Sequence, residues 1–230
     1  MNNRAAFFDV DGTIAKGDIV RHYAYLRTAR MNFLQKTLWK AMFLFKVPRY
    51  IILDKFSRYN FSCVFYRNYV NLKPLELKGR ASSYFQKFGY KSIYPAALER
   101  VQYHQSNGDM VVLVTNSLRE IVEPLACHLQ VFVLIAPQLE KCDNRFTGVL
   151  LGGPLTDRRK AEAVAKFAQE HSLDLGRCYA YADSLDDAPM LESVGNPKAI
   201  NPDRHLRRVA QRKGWEIFDW PLAENYPSTP

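Results

Sequence analysis

The chain has 230 residues, 47% hydrophobic and 24% charged, with 11 Gly, 12 Pro and no biased tract. That is one medium domain or a domain with an insert, long enough to bury a sizeable core, and it excludes collagen, coiled coil and wholesale disorder. The formal charge of +9 sits in one segment: residues 17–90 hold fourteen Lys and Arg against Asp18, Asp54 and Glu76, a net +11, whereas residues 91–230 carry a net −2.

Met1 to Arg4 is polar, and the apolar run Ala5 to Phe8 stops at Asp9, so the start does not read as a signal peptide. Arg4 to Phe8 instead reads as a buried strand entering the turn Asp9-Val10-Asp11-Gly12-Thr13. From about Asp18 to Phe88 the pattern is helical, with apolar residues recurring at three and four (Phe33, Leu34, Leu38, Met42, Phe45) and breaks at Pro48 and Pro74. Pro95 to Asn107 reads as a helix closed by Gly108. Met110 to Val114 is a second buried strand, followed by Thr115-Asn116-Ser117 and a helix over Leu118–Leu129. Val131 to Ala136 is a third strand, and runs around Leu139 and Phe146–Leu151 flank a hairpin-like Cys142-Asp143-Asn144-Arg145. Thr156 is placed to cap a helix through Glu170. A fourth strand, Cys178 to Ala182, ends in Asp183; short strands at Ala199-Ile200 and Glu216–Phe218 bracket a last helix, and the final ten residues read as a surface tail.

Strands alternating with helices imply a parallel sheet with helices on both faces, whose ligands bind beyond the carboxyl ends of the strands. Asp9 and Asp11, Thr115 and Asn116, and Asp183 and Asp187 all fall there, with Lys160 near a helix start. Four carboxylates converging at one edge repel one another strongly unless a cation and a lysine join them. All-oxygen ligands favour a hard ion, Mg²⁺ first. An Asp carboxylate can attack phosphorus to form an acyl phosphate, and a second carboxylate two residues on can protonate the leaving alcohol and then activate water. A calcium loop starting at Asp9 is excluded, because Ile14 stands at its sixth position and Val20 at its twelfth. Cys63, Cys127, Cys142 and Cys178 are scattered without metal-ligand spacing and read as thiols of a reducing compartment.

The order Asp9-Val10-Asp11-Gly12-Thr13, Thr115, Lys160 and Asp183-Ser-Leu-Asp-Asp187 resembles the four motifs of the haloacid dehalogenase superfamily, and more narrowly its phosphoserine-phosphatase-like type IB hydrolases. The resemblance implies an α/β fold, a Rossmann-like parallel sheet over residues 1–15 and 91–230, with residues 16–90 inserted as a helical cap of the C1 type. It implies Asp9 as the phosphorylated nucleophile and Asp11 as general acid and base, its backbone carbonyl on Mg²⁺ beside Asp9 and Asp183. Thr115, Asn116 and Lys160 would bind the phosphoryl oxygens, with Asp187 and Thr13 supporting them from behind.

Substrate choice in that family rests largely on the cap. Asp18 stands where phosphoserine phosphatases carry an acidic residue for the substrate amine, and His22 lies nearby. The basic, aromatic cap suits an amphiphilic or lipid phosphate met at an anionic membrane surface. Phosphoserine or another small soluble phosphomonoester is the alternative, and phosphotransfer to an acceptor other than water is permitted by the same motifs. A basic membrane or nucleic-acid binding module would require a degraded motif, and none is degraded, so nucleic acid is disfavoured as a partner. No run of about 18 apolar residues exists, so the expected place is cytoplasmic, with peripheral membrane contact at most.

Overall fold

The structure, a computed structural model, describes residues 3–17 and 19–223. Six strands form one wholly parallel sheet in the order β3-β2-β1-β6-β7-β8. These are β1 (Ala5–Phe8), β2 (Met110–Val114), β3 (Val133–Ile135), β6 (Tyr179–Ala182), β7 (Asn196–Ile200) and β8 (Glu216–Phe218). A separate antiparallel hairpin joins β4 (Gln138–Cys142) to β5 (Arg145–Leu151).

Side chains alternate across the sheet, and both faces are dry. Ala6, Phe8, Val111, Leu113 and Tyr181 pack one way, under α7 (Pro95–Ser106) and α8 (Arg119–His128). Ala5, Phe7, Val112, Val114, Ala180 and Ala182 pack the other way, under α9 (Arg158–Glu170), α10 (Ala188–Glu192) and α11 (Arg204–Lys213). Burial on both sides is why β1, β2 and β6 read as unbroken apolar runs. Phe7 and Phe8 are fully buried, worth roughly 2–3 kcal/mol each in transfer free energy.

Among the described residues six α-helices lie between β1 and α7: α1 (Ile19–Thr28), α2 (Phe33–Leu44), α3 (Val47–Phe56), α4 (Arg58–Tyr66), α5 (Pro74–Tyr84) and the short α6 (Tyr90–Ser92). The two ends of this insert meet: Ala15 bridges Ile93, and Lys16 N–H donates to the Ser92 carbonyl. Tyr23, Phe43, Tyr50, Phe61, Phe65, Tyr66 and Tyr69 form its aromatic core, which continues into Leu118, Leu139 and Phe146 of the sheet domain and hairpin. The hairpin clamps the insert through the backbone, Asn71 N–H donating to the Phe146 carbonyl and Phe146 N–H to that of Leu72.

The apolar repeat read as helical does form α2, and the face it marks is the exposed one: Phe43 is the only buried residue of α2, while Phe33, Leu34, Leu38, Met42 and Phe45 are exposed. The aromatics of α1 and α4 already fill the interior, and Phe43 with Trp39 completes it. Thr156 does not cap α9; the cap is Asp157, at φ 50° and without a side-chain hydrogen bond, while the Thr156 carbonyl accepts from Arg159 N–H. The strand seen at Ala199-Ile200 begins at Asn196; Pro197 in it is matched only by Ala180 of β6, and the pairing with β8 starts one residue later, at Lys198, where the missing N–H of proline is not needed. Asp18 and the end of the expected tail, from residue 224, lie outside the described residues.

Candidate active site

The sheet order reverses at β1: the chain moves from β1 to β2 on one side and later to β6 on the other. Ligand crevices form at such switch points, outside the carboxyl ends of the strands. Asp9 follows β1, Thr115 follows β2 and Asp183 follows β6, so one crevice collects all three. A cleft of about 260 Å³ opens there, lined by Asp9, Asp11, Lys160, Asp183, Asp187 and Arg58 among others.

Lys160 lies in the first turn of α9 and is buried. Its Nζ donates to Asp9 Oδ1 at 2.6 Å and to Asp187 Oδ1 at 2.7 Å. Burial works against its charge, but Asp187 and Asp9 outweigh that and hold its pKa above the ordinary lysine value. Asp9 Oδ2 has no hydrogen-bond partner among the described residues. Burial pushes the Asp9 carboxyl up to about 7, against the pull of Lys160 and helped by Asp187 and Asp11. Asp183 rises to about 8 from burial, then from Asp9 and Asp187. Three carboxylates facing one ammonium leave an excess of buried negative charge.

A cation would relieve that excess. Asp9, Asp183 and Asp187 each offer an oxygen within 4.8 Å of the others, a donor set that suits a hard divalent ion such as Mg²⁺. The backbone makes room for it. Gly12 has φ +92°, and a Cβ there would stand 2.1 Å from Asp183 Oδ2, so only glycine lets that carboxylate in.

Asp11 is turned away from this trio. Its Oδ2 accepts from Ser117 Oγ at 2.7 Å, and its Oδ1 lies where a Cβ on Gly17 would be. The residue borders three spaces: the acidic cleft, an adjoining cleft of about 380 Å³ with Arg58, Asp54, Ile19 and Phe61, and an apolar cavity of about 50 Å³ with Leu26, Phe85 and Leu125. His22 lines the last of these and stacks edge-on against Tyr84.

The remaining expected residues divide. Thr13 is buried and donates to Asp183 Oδ1 at 3.4 Å. Thr115 is buried and does not line the cleft; its Oγ1 accepts from Ser117 N–H at 3.0 Å, which leaves its own hydroxyl hydrogen to give. Asn116 lines the cleft but works as a clasp, donating to Ser62 Oγ on α4 at 2.8 Å and accepting from Leu155 N–H at 3.1 Å. Tyr66 adds a bond from its hydroxyl to the Asn116 carbonyl at 2.6 Å.

Two residues were missed. Ser117 closes the Thr115-Asn116-Ser117 stretch after β2, and its position two residues past Thr115 is the available signal. Arg58 opens α4, reaches both clefts and pairs with Asp54 at 3.8 Å and Asp186 at 3.5 Å. Nothing in the spacing separates Arg58 from the other thirteen Lys and Arg of residues 17–90.

The family model for haloacid dehalogenase-like hydrolases matches residues 6–192. The chain is 32% identical over 222 residues to phosphoserine phosphatase SerB1 of Mycobacterium tuberculosis, covering 95% of this chain and 71% of that protein. It is 31% identical over 179 residues to a histidinol-phosphatase of Neisseria meningitidis, covering 68% and 80%. A crystal structure of a protein of unknown function from Bordetella pertussis superposes with a TM-score of 0.80 at 28% identity, covering 95% of this chain and 99% of that one. The chain belongs to the haloacid dehalogenase-like hydrolases and, within them, to the phosphoserine-phosphatase-like phosphomonoesterases.

Proposed function

We propose that the chain is an Mg²⁺-dependent phosphatase that works through a phosphorylated Asp9. The observation that carries this reading is Lys160, held between Asp9 and Asp187 in a buried acidic cleft at the sheet's switch point. Asp9, Asp183 and the Asp11 carbonyl would hold the ion, which when bound neutralises charge on the phosphoryl oxygens. Asp187 orients Lys160.

Asp9 Oδ2 attacks phosphorus, the bond from phosphorus to the ester oxygen breaks, and Asp11 gives its proton to the departing alcohol. Water then attacks the same phosphorus, Asp11 takes a proton from it, and the bond to Asp9 breaks to release phosphate. Lys160 and the second amide hydrogen of Asn116 receive the phosphoryl oxygens, while the buried Thr115 hydroxyl holds the Ser117 amide beside them. Residues 16–90 act as the cap, hinged where Ala15 meets Ile93 and closed by the Arg58–Asp186 pair. Closure excludes water that would compete for the site.

The substrate is a phosphomonoester with an amphiphilic alcohol, a reading supported by Ile19, Val20 and Phe61 in the cleft beyond Asp11. Arg58 and Asp54 in that same cleft favour the second reading, phosphoserine or another small charged ester. The names of the two relatives above support a phosphomonoester in either case. The test is phosphate release with Mg²⁺ from phosphoserine, histidinol phosphate, sugar phosphates and lysophosphatidate. Turnover on at least one, lost by about 10⁴-fold or more in Asp9→Asn, is the expected result. Wild-type activity in Asp9→Asn would overturn the mechanism, and release that falls when a competing alcohol is added would make the enzyme a phosphotransferase.

A further inference from the structure

We propose that the outer face of α2 and α3 is a docking surface for an anionic lipid bilayer. A helix normally turns its apolar stripe inward. In α2 the residues Leu34, Leu38 and Met42, with Phe45 just beyond, recur at four and three, and each is more than 60% exposed. Residues so spaced share one side of a helix. The helix is well made all the same: Asn32 and Gln35 close a full capping box at its start. In α3, Ile52 and Phe56 repeat the pattern at a spacing of four, 56% and 82% exposed.

The surrounding charge selects the occupant. Arg49 and Lys55 stand three residues either side of Ile52 on α3, flanking its apolar pair, and among the described residues neither forms a salt bridge, whereas Lys36 and Lys40 lie on the far side of α2 from Leu34, Leu38 and Met42. Asp54 is the one acidic residue on either helix, and it is paired with Arg58. Exposed bulky apolar side chains flanked by unpaired cations are what an interfacial helix presents, the first entering the acyl boundary and the second meeting headgroup phosphates. A second copy of the chain fits poorly, because a two-fold contact sets each patch against itself and would bring these cations together. Nucleic acid would have no use for Leu34, Leu38, Met42 and Ile52, which neither stack nor donate hydrogen bonds. Among the described residues no helix is long and apolar enough to cross a membrane, so the contact is peripheral.

The surface adjoins the site. Phe56 ends α3, and Arg58, two residues on, lines both clefts; two residues span at most about 7 Å. This inference rests on exposure and charge, not on the proposed reaction.

The test is co-sedimentation of the full chain with phosphatidylcholine vesicles, with and without phosphatidylglycerol. Two double variants accompany it, Leu34→Glu with Leu38→Glu and Arg49→Glu with Lys55→Glu. Both pairs lie outside the clefts, so hydrolysis of soluble p-nitrophenyl phosphate serves as the folding control. Wild-type protein is expected to pellet with the anionic vesicles alone, and each double variant to lose affinity by about an order of magnitude or more while hydrolysis is kept. No wild-type pelleting, or equal pelleting by the variants, overturns the proposal. So does a concentration-dependent dimer, seen by sedimentation velocity, that the Leu pair abolishes while vesicle binding is absent.

Discussion

Ser117 Oγ donates to Asp11 Oδ2 at 2.7 Å across 106 residues of sequence, tying the turn after β2 to the turn after β1. The bond fixes one oxygen of the proposed acid and base while the other is packed against Gly17. Asp11 is thereby aimed at the junction of the two clefts and kept apart from Asp9, Asp183 and Asp187.

Ser117→Ala should therefore lower kcat by about ten- to a hundredfold, the scale of a misplaced general acid. KM should change by less, since Ser117 makes none of the phosphate contacts proposed above. Steady-state kinetics on whichever ester proves active checks this. A rise in KM with kcat intact would make Ser117 a substrate-binding residue instead.

The acidic trio makes a second prediction that needs no turnover. Mg²⁺ added to chelator-treated protein should raise Tm, because a ligand that binds only the folded chain stabilises it, by about 2.7 kcal/mol at a hundredfold excess over Kd. Asp183→Asn removes one proposed ligand and should abolish most of that increase. Differential scanning calorimetry with and without Mg²⁺ decides it, and an unchanged increase in Asp183→Asn would exclude Asp183 as a ligand.

How much of this was legible in the residues follows from what each signal depends on. Asp9, Asp183 and Lys160 could be placed because strand ends and a helix start are local features, and a parallel sheet gathers them at one edge. Ser117 was visible but unassigned, since its partner lies on another strand turn. Arg58 was illegible: its role comes from how the insert folds back over the sheet, and no spacing encodes that. The repeat in α2 foretold the helix but not its setting. Periodicity tells which residues share a face but not whether anything covers it, and here Phe43 and Trp39 supply the contact with the core.

Beneath the site lies a buried network that does not touch the reaction. His104 Nδ1 donates to Asp109 Oδ2 at 2.7 Å, the Tyr181 hydroxyl donates to His104 Nε2 at 2.8 Å, and Arg4 Nε donates to Asp109 Oδ1 at 2.6 Å. Burial lowers the His104 pKa below 6.5, although Asp109 pulls the other way. The folded chain thus holds a neutral imidazole where the unfolded chain binds a proton, so the contribution of His104 to stability is full above 6.5 and falls as pH drops below it. Asp9 and Asp183, raised to about 7 and about 8, act with the opposite sign over the same range, so the loss is read as a difference: in thermal melts from about pH 8 to about pH 5, His104→Gln, which cannot titrate, should gain stability relative to wild type as pH falls. An unchanged slope in the variant would assign the acid sensitivity elsewhere.

Gly12→Ala separates packing from chemistry most sharply. The φ of +92° is unfavourable for alanine, and the added Cβ would meet the Asp183 carboxylate at 2.1 Å, so the turn or the carboxylate must move. Backbone strain of this kind costs about 1–3 kcal/mol, seen as a lower Tm. Displacing Asp183 should also weaken Mg²⁺ binding, so the variant should lose the metal-dependent rise in Tm that wild type displays. Asp183→Asn offers the comparison, since it changes the ligand without straining the backbone. If Gly12→Ala kept both its stability and its response to Mg²⁺, the close approach of Gly12 to Asp183 would not be what positions the metal site.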